Sequence, residues 1–235
     1  MRKLLIASTS TVHGKGYLEY ILPELADFFN GVTEILFIPY ARPSGITHED
    51  YTEIAQKGFE KINIRIKGLH EFTNPIEAIN NAKGIFTGGG NTFLLLKQLY
   101  DYKLISTLKN VVENGVPYFG TSAGSNITGL TIQNTNDMPI IYPPSFNALG
   151  FVNFNLNPHY LDPDTASKHM GETRETRINE FHSLNSIPVL GLREGSWLKV
   201  IGKKISLEGE LNARLFQQNK NAKELPSHTD LSFLK

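Results

Sequence analysis

Short apolar segments alternate with helical patterns along the first half of the chain, and this alternation limits the possible folds more than any other feature. Four segments predict buried strands because each ends at or just before Gly, Pro, Ser or Thr: residues 2–7, 34–39, 84–88 and 116–120. Helices are predicted between them at residues 17–29, 48–62, 91–100 and 104–115, with Pro23 expected to kink or break the first. Alternating strands and helices predict an α/β fold with a mostly parallel sheet, helices on both faces and functional loops at the carboxyl ends of the strands.

The pattern changes after about residue 130. Within residues 149–160, apolar residues with a spacing of two, the last of them Leu156, predict a strand that ends before His159, and residues 171–185 are helical in character. A further strand is expected at residues 187–192, followed by a C-terminal β-hairpin in residues 196–210. There is no internal repeat and no linker composition, so we expect residues 1–235 to form one domain.

The composition favours no special environment or partner. Basic and acidic residues number 23 each, so no long-range field attracts nucleic acid or an anionic membrane. Cysteine is absent, which excludes thiolate chemistry and fits a reducing compartment. The first residues do not resemble a signal peptide, and no apolar run approaches the roughly 20 residues that span a bilayer. We therefore expect a cytoplasmic protein with neither nucleic acid nor membrane as partner.

The segment "YFGTSAGSNI" at residues 118–127 places Ser122 between two glycines as G-x-S-x-G. A strand precedes this serine and a short helical segment follows it, which is the context of a nucleophile elbow. Gly120 and Gly124 allow a sharp turn and close packing beside the hydroxyl. The alternative is a serine that only caps the helix.

An activated serine needs a base and a group that orients the base. The next histidine in the chain is His159, which follows a predicted strand and should lie at the same edge as Ser122. Asp137 is the only acidic residue between the two, so it is the orienting acid if that acid lies in this interval. Asp162 and Asp164 follow His159 closely and remain rivals, and Asp137 could also belong to a plain turn.

Three consecutive glycines at residues 88–90 end a strand and precede a helix capped by Asn91. Phe93 stands where the dinucleotide-binding fingerprint requires glycine, and no G-K-[ST] follows, so a phosphate-binding loop of either type is excluded. Exposed amides of this loop suit an oxyanion or another anion. A tight turn without function is the alternative.

Two further segments suggest substrate recognition. In the predicted helix at residues 171–185, Arg174 and Arg177 lie close to the apolar face formed by Ile178 and Phe181. An arginine there either binds a substrate carboxylate or pairs with a neighbouring glutamate. Glu194 precedes the only tryptophan and could bind a substrate amine or remain solvated.

Taken together, "FIPYA", "GGGNTFLLL", "GTSAGSN", "NPHY", "GETRETRI" and "GLREGSW" resemble the peptidase E family over nearly the whole chain. These α-aspartyl dipeptidases are serine peptidases with a class I glutamine amidotransferase-like fold, a flavodoxin-like three-layer sandwich. The resemblance implies a triad of Ser122, His159 and Asp137. It also implies an oxyanion hole formed by the Ala123 amide and by Gly89, with Gly90 as an alternative. Arg174 would bind the aspartyl carboxylate, and Glu194 is a less secure substrate contact.

The expected activity is hydrolysis of Asp-Xaa dipeptides through an acyl-enzyme, without metal or other cofactor, in a monomer or homodimer. Glutamine amidotransferases use a cysteine nucleophile, which this chain lacks. Cyanophycinase-like hydrolases share the serine elbow but are expected to be longer. Ordinary α/β-hydrolases usually spread the three groups over more of the chain. A binding protein without activity on the same fold, for an acidic metabolite, and a small esterase are the remaining alternatives.

Overall fold

The computed structural model describes residues 1–163 and 171–234. Its strands are β1 (Lys3–Ala7), β2 (Glu34–Ile38), β3 (Arg65–Gly68), β4 (Ile85–Thr87), β5 (Tyr118–Thr121), β6 (Asn155–Pro158), β7 (Val189–Leu192), β8 (Ser196–Ile201), β9 (Lys204–Gly209), β10 (Ala213–Phe216) and β11 (Lys223–Leu225). Its α-helices are α1 (Leu22–Phe28), α2 (His48–Phe59), α3 (Pro75–Asn81), α4 (Thr92–Asp101), α5 (Ile105–Glu113), α6 (Ala123–Asn126) and α7 (Arg174–Leu184). None of these helices is both long and apolar enough to cross a membrane.

The larger sheet has seven strands in the order β3-β2-β4-β5-β1-β8-β9. The first five strands are parallel to one another, whereas β8 is antiparallel to β1 and forms an antiparallel hairpin with β9. The mostly parallel sheet and the C-terminal hairpin are therefore confirmed. All four strands predicted in the first half of the chain are present, and the sequence analysis missed β3 and α3.

Helices cover both faces of this sheet, which gives the expected three layers. Alternate residues of β1 point to opposite faces: Leu4 and Ile6 belong to one buried cluster, and Leu5 and Ala7 to the other. The first cluster contains apolar residues of α3, α4 and α5, and the second contains those of α1 and α2. Pro23 lies in the first turn of α1 rather than at a kink, because the first turn needs no amide donor there.

A second sheet of four strands, in the order β11-β10-β7-β6, was not predicted. Of residues 149–160, only Asn155–Pro158 forms a strand. Phe151, Val152 and Phe154 are buried in the main core from a loop, so their apolar spacing reflects burial and not strand pairing. The carboxyl end of β6 thus belongs to a different sheet from the carboxyl end of β5, and the catalytic candidates come from two sheets that meet.

Candidate active site

Ser122 lies in a tight turn between β5 and α6, with φ 52° and ψ −111°. This backbone conformation is strained for a residue with a side chain, and strain of this kind is typical of a nucleophile elbow. The turn needs glycine nearby, because a Cβ on Gly124 would lie 2.2 Å from the carbonyl oxygen of Thr87. The Ser122 hydroxyl caps no amide of α6, so it is available for a reaction.

His159 follows β6 directly and places its Nε2 atom 2.9 Å from the Ser122 hydroxyl oxygen. Its backbone has φ 54°, and its amide donates a hydrogen bond of 2.9 Å to the hydroxyl of Ser8. The Ser8 hydroxyl in turn donates to the carbonyl of Leu192 at 2.7 Å. The structure therefore brings the predicted nucleophile and the predicted base together.

Glu194 occupies the other side of the imidazole, with its Oε1 atom 2.6 Å from Nδ1 of His159. It lies in the turn between β7 and β8. The structure does not bring Asp137 to His159: one of its carboxylate oxygens accepts a hydrogen bond of 2.7 Å from the Thr92 amide. The sequence analysis considered acids between Ser122 and His159 or shortly after His159, and it assigned Glu194 to substrate binding instead. Glu194 follows the end of a strand by two residues, which is the signal that could have found it.

The structure describes one of the two rivals for the orienting acid. Asp162 forms an ion pair with Arg193, with Oδ1 and Nη2 2.8 Å apart, so it does not serve His159. Asp164 lies outside the described residues. Of the two arginines near the apolar face of α7, Arg177 lies 3.6 Å from Glu172, which is the pairing with glutamate that was the alternative to substrate binding.

Backbone amides lie beside the nucleophile. In the described part of the chain, the amides of Gly89, Gly90 and Ala123 donate no hydrogen bond, whereas the next amide, of Asn91, donates to Ala41. Gly89 lies against the nucleophile, since a Cβ on it would be 3.0 Å from Cβ of Ser122. The Tyr51 hydroxyl donates to the Gly89 carbonyl at 3.1 Å, which fixes the orientation of the peptide between the two glycines.

A cavity of about 190 Å³ lies over these groups. Its lining residues are Thr92, Ser122, Ala123, Asn126, Thr135, Asn136, Asp137, Pro158, His159 and Arg174. Arg174 is the first residue of α7, and burial and the neighbouring Arg177 lower its pKa while the charge of Asp137 opposes this. A larger cavity of about 420 Å³ between β2 and α3 contains none of the catalytic candidates.

Within residues 1–163 and 171–234, no group of three or more histidine, aspartate or glutamate side chains is placed to hold a metal ion. A serine on a strained elbow, an imidazole on its hydroxyl and a carboxylate on the imidazole form the site of a serine hydrolase.

Comparison with known proteins agrees with this class. The sequence pattern of Peptidase family S51 matches residues 4–208. The chain is 45% identical, over 99% of its length and 97% of the relative's, to a Drosophila melanogaster protein described as a probable alpha-aspartyl dipeptidase. It is 46% identical to peptidase E of Streptomyces coelicolor, over 98% of this chain and 94% of that protein. The chain belongs to Peptidase family S51 and is a serine peptidase.

The fold is also that of solved structures. A peptidase from an acI-B1 Actinobacterium superposes with a TM-score of 0.73, covering 99% of this chain and 97% of that one. Because the two sequences are 16% identical, this likeness concerns the fold alone.

Proposed function

We propose that the chain is a dipeptidase that hydrolyses Asp-Xaa dipeptides with a free N-terminal aspartate, through an acyl-enzyme on Ser122. The observation that carries the proposal is the chain of two contacts from Ser122 to His159 and from His159 to Glu194, at 2.9 and 2.6 Å, with Arg174 on the same cavity. The names of the relatives, alpha-aspartyl dipeptidase and peptidase E, support this substrate class.

In the proposed acylation step, Nε2 of His159 takes the proton of the Ser122 hydroxyl as the oxygen attacks the scissile carbonyl carbon. The negative charge that develops on the carbonyl oxygen is stabilised by the amide of Ala123 and by that of Gly89 or Gly90. The C–N bond then breaks, and the leaving amine takes the proton from His159. Glu194 holds the imidazole tautomer and stabilises the imidazolium that forms between these two transfers.

Deacylation repeats the sequence with water as the nucleophile. His159 takes a proton from the water as its oxygen attacks the acyl carbon, and the bond from that carbon to the Ser122 oxygen breaks. Ser122 recovers its proton from His159, and free aspartate leaves the site. The glutamate at Nδ1 replaces the Asp137 that the sequence order predicted in this role.

Arg174 is the proposed contact for the aspartyl side chain, because a guanidinium binds a carboxylate through two hydrogen bonds. Burial lowers the pKa of Arg174, and a carboxylate that pairs with it would offset the cost of that burial. An asparaginyl substrate would leave this partly buried charge without a partner.

The test is hydrolysis of Asp-Leu and Asn-Leu by the wild-type chain and by Ser122→Ala. We expect Asp-Leu to be hydrolysed faster than Asn-Leu by a factor on the order of 10² or more. We expect Ser122→Ala to lose activity by at least about 10³-fold while its melting temperature stays close to that of the wild type. Wild-type rates in Ser122→Ala would exclude the acyl-enzyme, and equal rates on the two dipeptides would remove Arg174 from its role.

A small peptide is the partner that the family implies. We further propose a cytoplasmic monomer or homodimer that binds no nucleic acid. The absence of cysteine supports the compartment, and the equal numbers of basic and acidic residues support the absence of nucleic-acid binding.

A further inference from the structure

Arg42 is a cation in the loop between β2 and α2 that has no anionic partner in the described part of the chain. Its guanidinium carbon lies 4.8 Å from the ring centre of Tyr51. Among the described residues, no carboxylate oxygen lies within 4.0 Å of its nitrogens, and none accepts a hydrogen bond from its side chain. The side chain is exposed, so its positive charge is available to a ligand.

Short contacts connect Arg42 to the loop that lies beside the nucleophile. The hydroxyl of Tyr51 donates to the carbonyl of Gly89 at 3.1 Å, and Gly89 lies against Ser122. The carbonyl of Ala41, the residue before Arg42, accepts from the amide that follows the three glycines at 2.7 Å. The backbone and the side chain of Arg42 are therefore both held next to the glycine loop that supplies amides to the proposed oxyanion hole.

Arg42 lies on the side of this loop away from the cavity that contains Arg174. That cavity is lined by Ala123, which belongs to the first buried cluster of the larger sheet. Tyr51 belongs to the second cluster, on the opposite face, and neither Tyr51 nor Arg42 lines the cavity. The scissile carbonyl carbon bears the aspartyl residue on one side and the leaving residue on the other. With the aspartyl residue in the cavity, the leaving residue extends toward the opposite face.

The aromatic groups that surround Arg42 do not neutralise its charge. The hydroxyl of Tyr17 is buried, and burial and the neighbouring Tyr51 raise its pKa while the charge of Arg42 opposes this. Tyr17 therefore stays protonated and neutral near pH 7. A guanidinium that packs on an aromatic ring keeps its N–H donors for a planar anion, and a carboxylate matches their geometry.

We propose that Arg42 binds the α-carboxylate of the leaving residue, so that the site recognises the free C-terminus of a dipeptide. This inference rests on the proposed function and deepens it, because Arg174 would serve the aspartyl residue and Arg42 the residue after the scissile bond. A bound carboxylate would hold the peptide bond over Ser122 for attack. A dipeptide amide and a longer peptide have no carboxylate at this distance from the scissile bond, so both would lose the contact.

Hydrolysis of Asp-Leu and of Asp-Leu amide tests the contact, because these substrates differ only in the C-terminal carboxylate. The measured quantity is the ratio of kcat/KM for Asp-Leu to kcat/KM for the amide, which excludes deacylation of the aspartyl-enzyme that both substrates form. We expect Arg42→Gln to lower this ratio by roughly 10-fold, as a hydrogen bond between charged groups at an exposed site predicts. The loss should fall on Asp-Leu, while hydrolysis of the amide stays close to that of the wild type.

Arg65→Gln is the matched control. Arg65 is also an exposed arginine, but it is the first residue of β3, at the amino end of a parallel strand and away from the site. It should leave the ratio unchanged. An unchanged ratio in Arg42→Gln, an equal loss on both substrates, or the same decrease in Arg65→Gln would each overturn the proposal.

Ionic strength separates a direct contact from a diffuse field, because Asp-Leu is more negative than its amide. At 0.5 M salt the screening length is about 4 Å, so a diffuse field contributes little. We expect the ratio for the wild type to stay at least about threefold above that for Arg42→Gln in 0.5 M salt, as a direct ion pair predicts. Equal ratios at this salt concentration would show that Arg42 acts without contacting the carboxylate.

The outcomes for the two proposals are distinguishable. If Asp-Leu is hydrolysed and the ratio is the same in the wild type and Arg42→Gln, the contact fails and the dipeptidase stands. If the wild type hydrolyses neither substrate, the proposed function fails, and calorimetry with the same two ligands then tests the contact. In that case the contact stands if Asp-Leu binds more tightly than the amide and the preference is lost in Arg42→Gln, and it fails otherwise.

Discussion

Glu194, the proposed partner of His159, is half-exposed: 45% of its side chain is accessible to solvent. Its value to the site is therefore geometric more than electrostatic, since water screens a carboxylate at this exposure. A carboxylate on Nδ1 keeps the proton on that nitrogen and leaves Nε2 able to accept the proton of Ser122. The contact of 2.6 Å is short enough to fix the ring as well as its tautomer.

We expect Glu194→Gln to lower kcat on Asp-Leu by about 10²- to 10⁴-fold with a small change in KM, because an amide can donate to Nδ1 and hold the wrong tautomer. Steady-state kinetics measure both constants. Glu208→Gln is the control, since Glu208 contacts Nδ1 of His228 at 3.0 Å and does not line the cavity. A wild-type kcat in Glu194→Gln would show that His159 needs no carboxylate partner from this turn.

At this scale the sequence analysis named Ser122 and His159, which the structure places in contact, but it did not name Glu194 as the acid that contacts His159. Ser122 and His159 each follow a strand end directly, so a strand prediction sufficed to place them. Which acid contacts His159 depends on how the two sheets pack against each other, and the order of residues along the chain does not show this packing. Asp137 lies between Ser122 and His159 in the chain, but its carboxylate accepts a hydrogen bond at the start of α4 and does not contact His159.

The carboxyl end of β1 connects the elements that carry the site. The carbonyl of Ala7 accepts from the Ser122 amide at 3.2 Å, and the next residue, Ser8, accepts from the His159 amide. Ser8 is fully buried and also donates to Leu192 at the end of β7, two residues before Glu194. The Ser8 hydroxyl thus links β1 of the central sheet to the end of β6, which precedes His159, and to the end of β7, which precedes Glu194.

We expect Ser8→Ala to lower kcat by roughly tenfold with little change in KM, because the His159 amide and the Leu192 carbonyl lose their shared partner and the imidazole loses its orientation. Stability should fall by about 1–3 kcal/mol for the unsatisfied groups. Thr52→Val is the control, since it removes a buried hydroxyl bound to the carbonyl of His48 in α2. A similar loss of kcat in both variants would mean that stability, not orientation, limits activity.

Strands whose apolar spacing follows from their pairing in a sheet were predicted well. A buried loop with similar spacing was wrongly predicted as a strand. The hairpin of β8 and β9 alternates between buried and half-buried residues, so its period of two is visible in the sequence. In residues 149–154, similar spacing comes from a loop that inserts Phe151 and Phe154 into the core. The short strands β10 and β11 lack a distinctive period and were missed.

At the scale of the whole molecule, Arg193 links several segments around the second sheet, beside Glu194 in the turn between β7 and β8. Its guanidinium donates to both carboxylate oxygens of Asp162 at 2.8 Å, to Glu224 of β11 at 2.5 Å and to the carbonyl of Asn212 at 2.8 Å. Its side chain is 15% exposed and lies 5.6 Å from the ring centre of Tyr160. The residue after it is Glu194, so the same turn carries this mostly buried cation and the carboxylate that contacts His159.

This arrangement gives the stability of the protein a defined dependence on pH. The hydrogen bonds from Arg193 lower the pKa of Asp162. A carboxyl group whose pKa is lower in the folded protein adds stability above its unfolded pKa of about 3.9, and this stability is lost as the pH falls through the folded pKa. Unfolding by denaturant at pH 6 and at pH 3 measures the effect.

We expect Arg193→Gln to be less stable than the wild type at pH 6, and we expect the difference in free energy of unfolding to become smaller at pH 3, where the wild type has lost part of the contribution of Asp162. Arg65→Gln is the matched control, because Arg65 pairs with Glu34 on an exposed surface and should change stability little at either pH. If the difference between Arg193→Gln and the wild type is the same at both pH values, Asp162 does not respond to Arg193. The role of that arginine would then be limited to its contacts with Glu224, Asn212 and Tyr160.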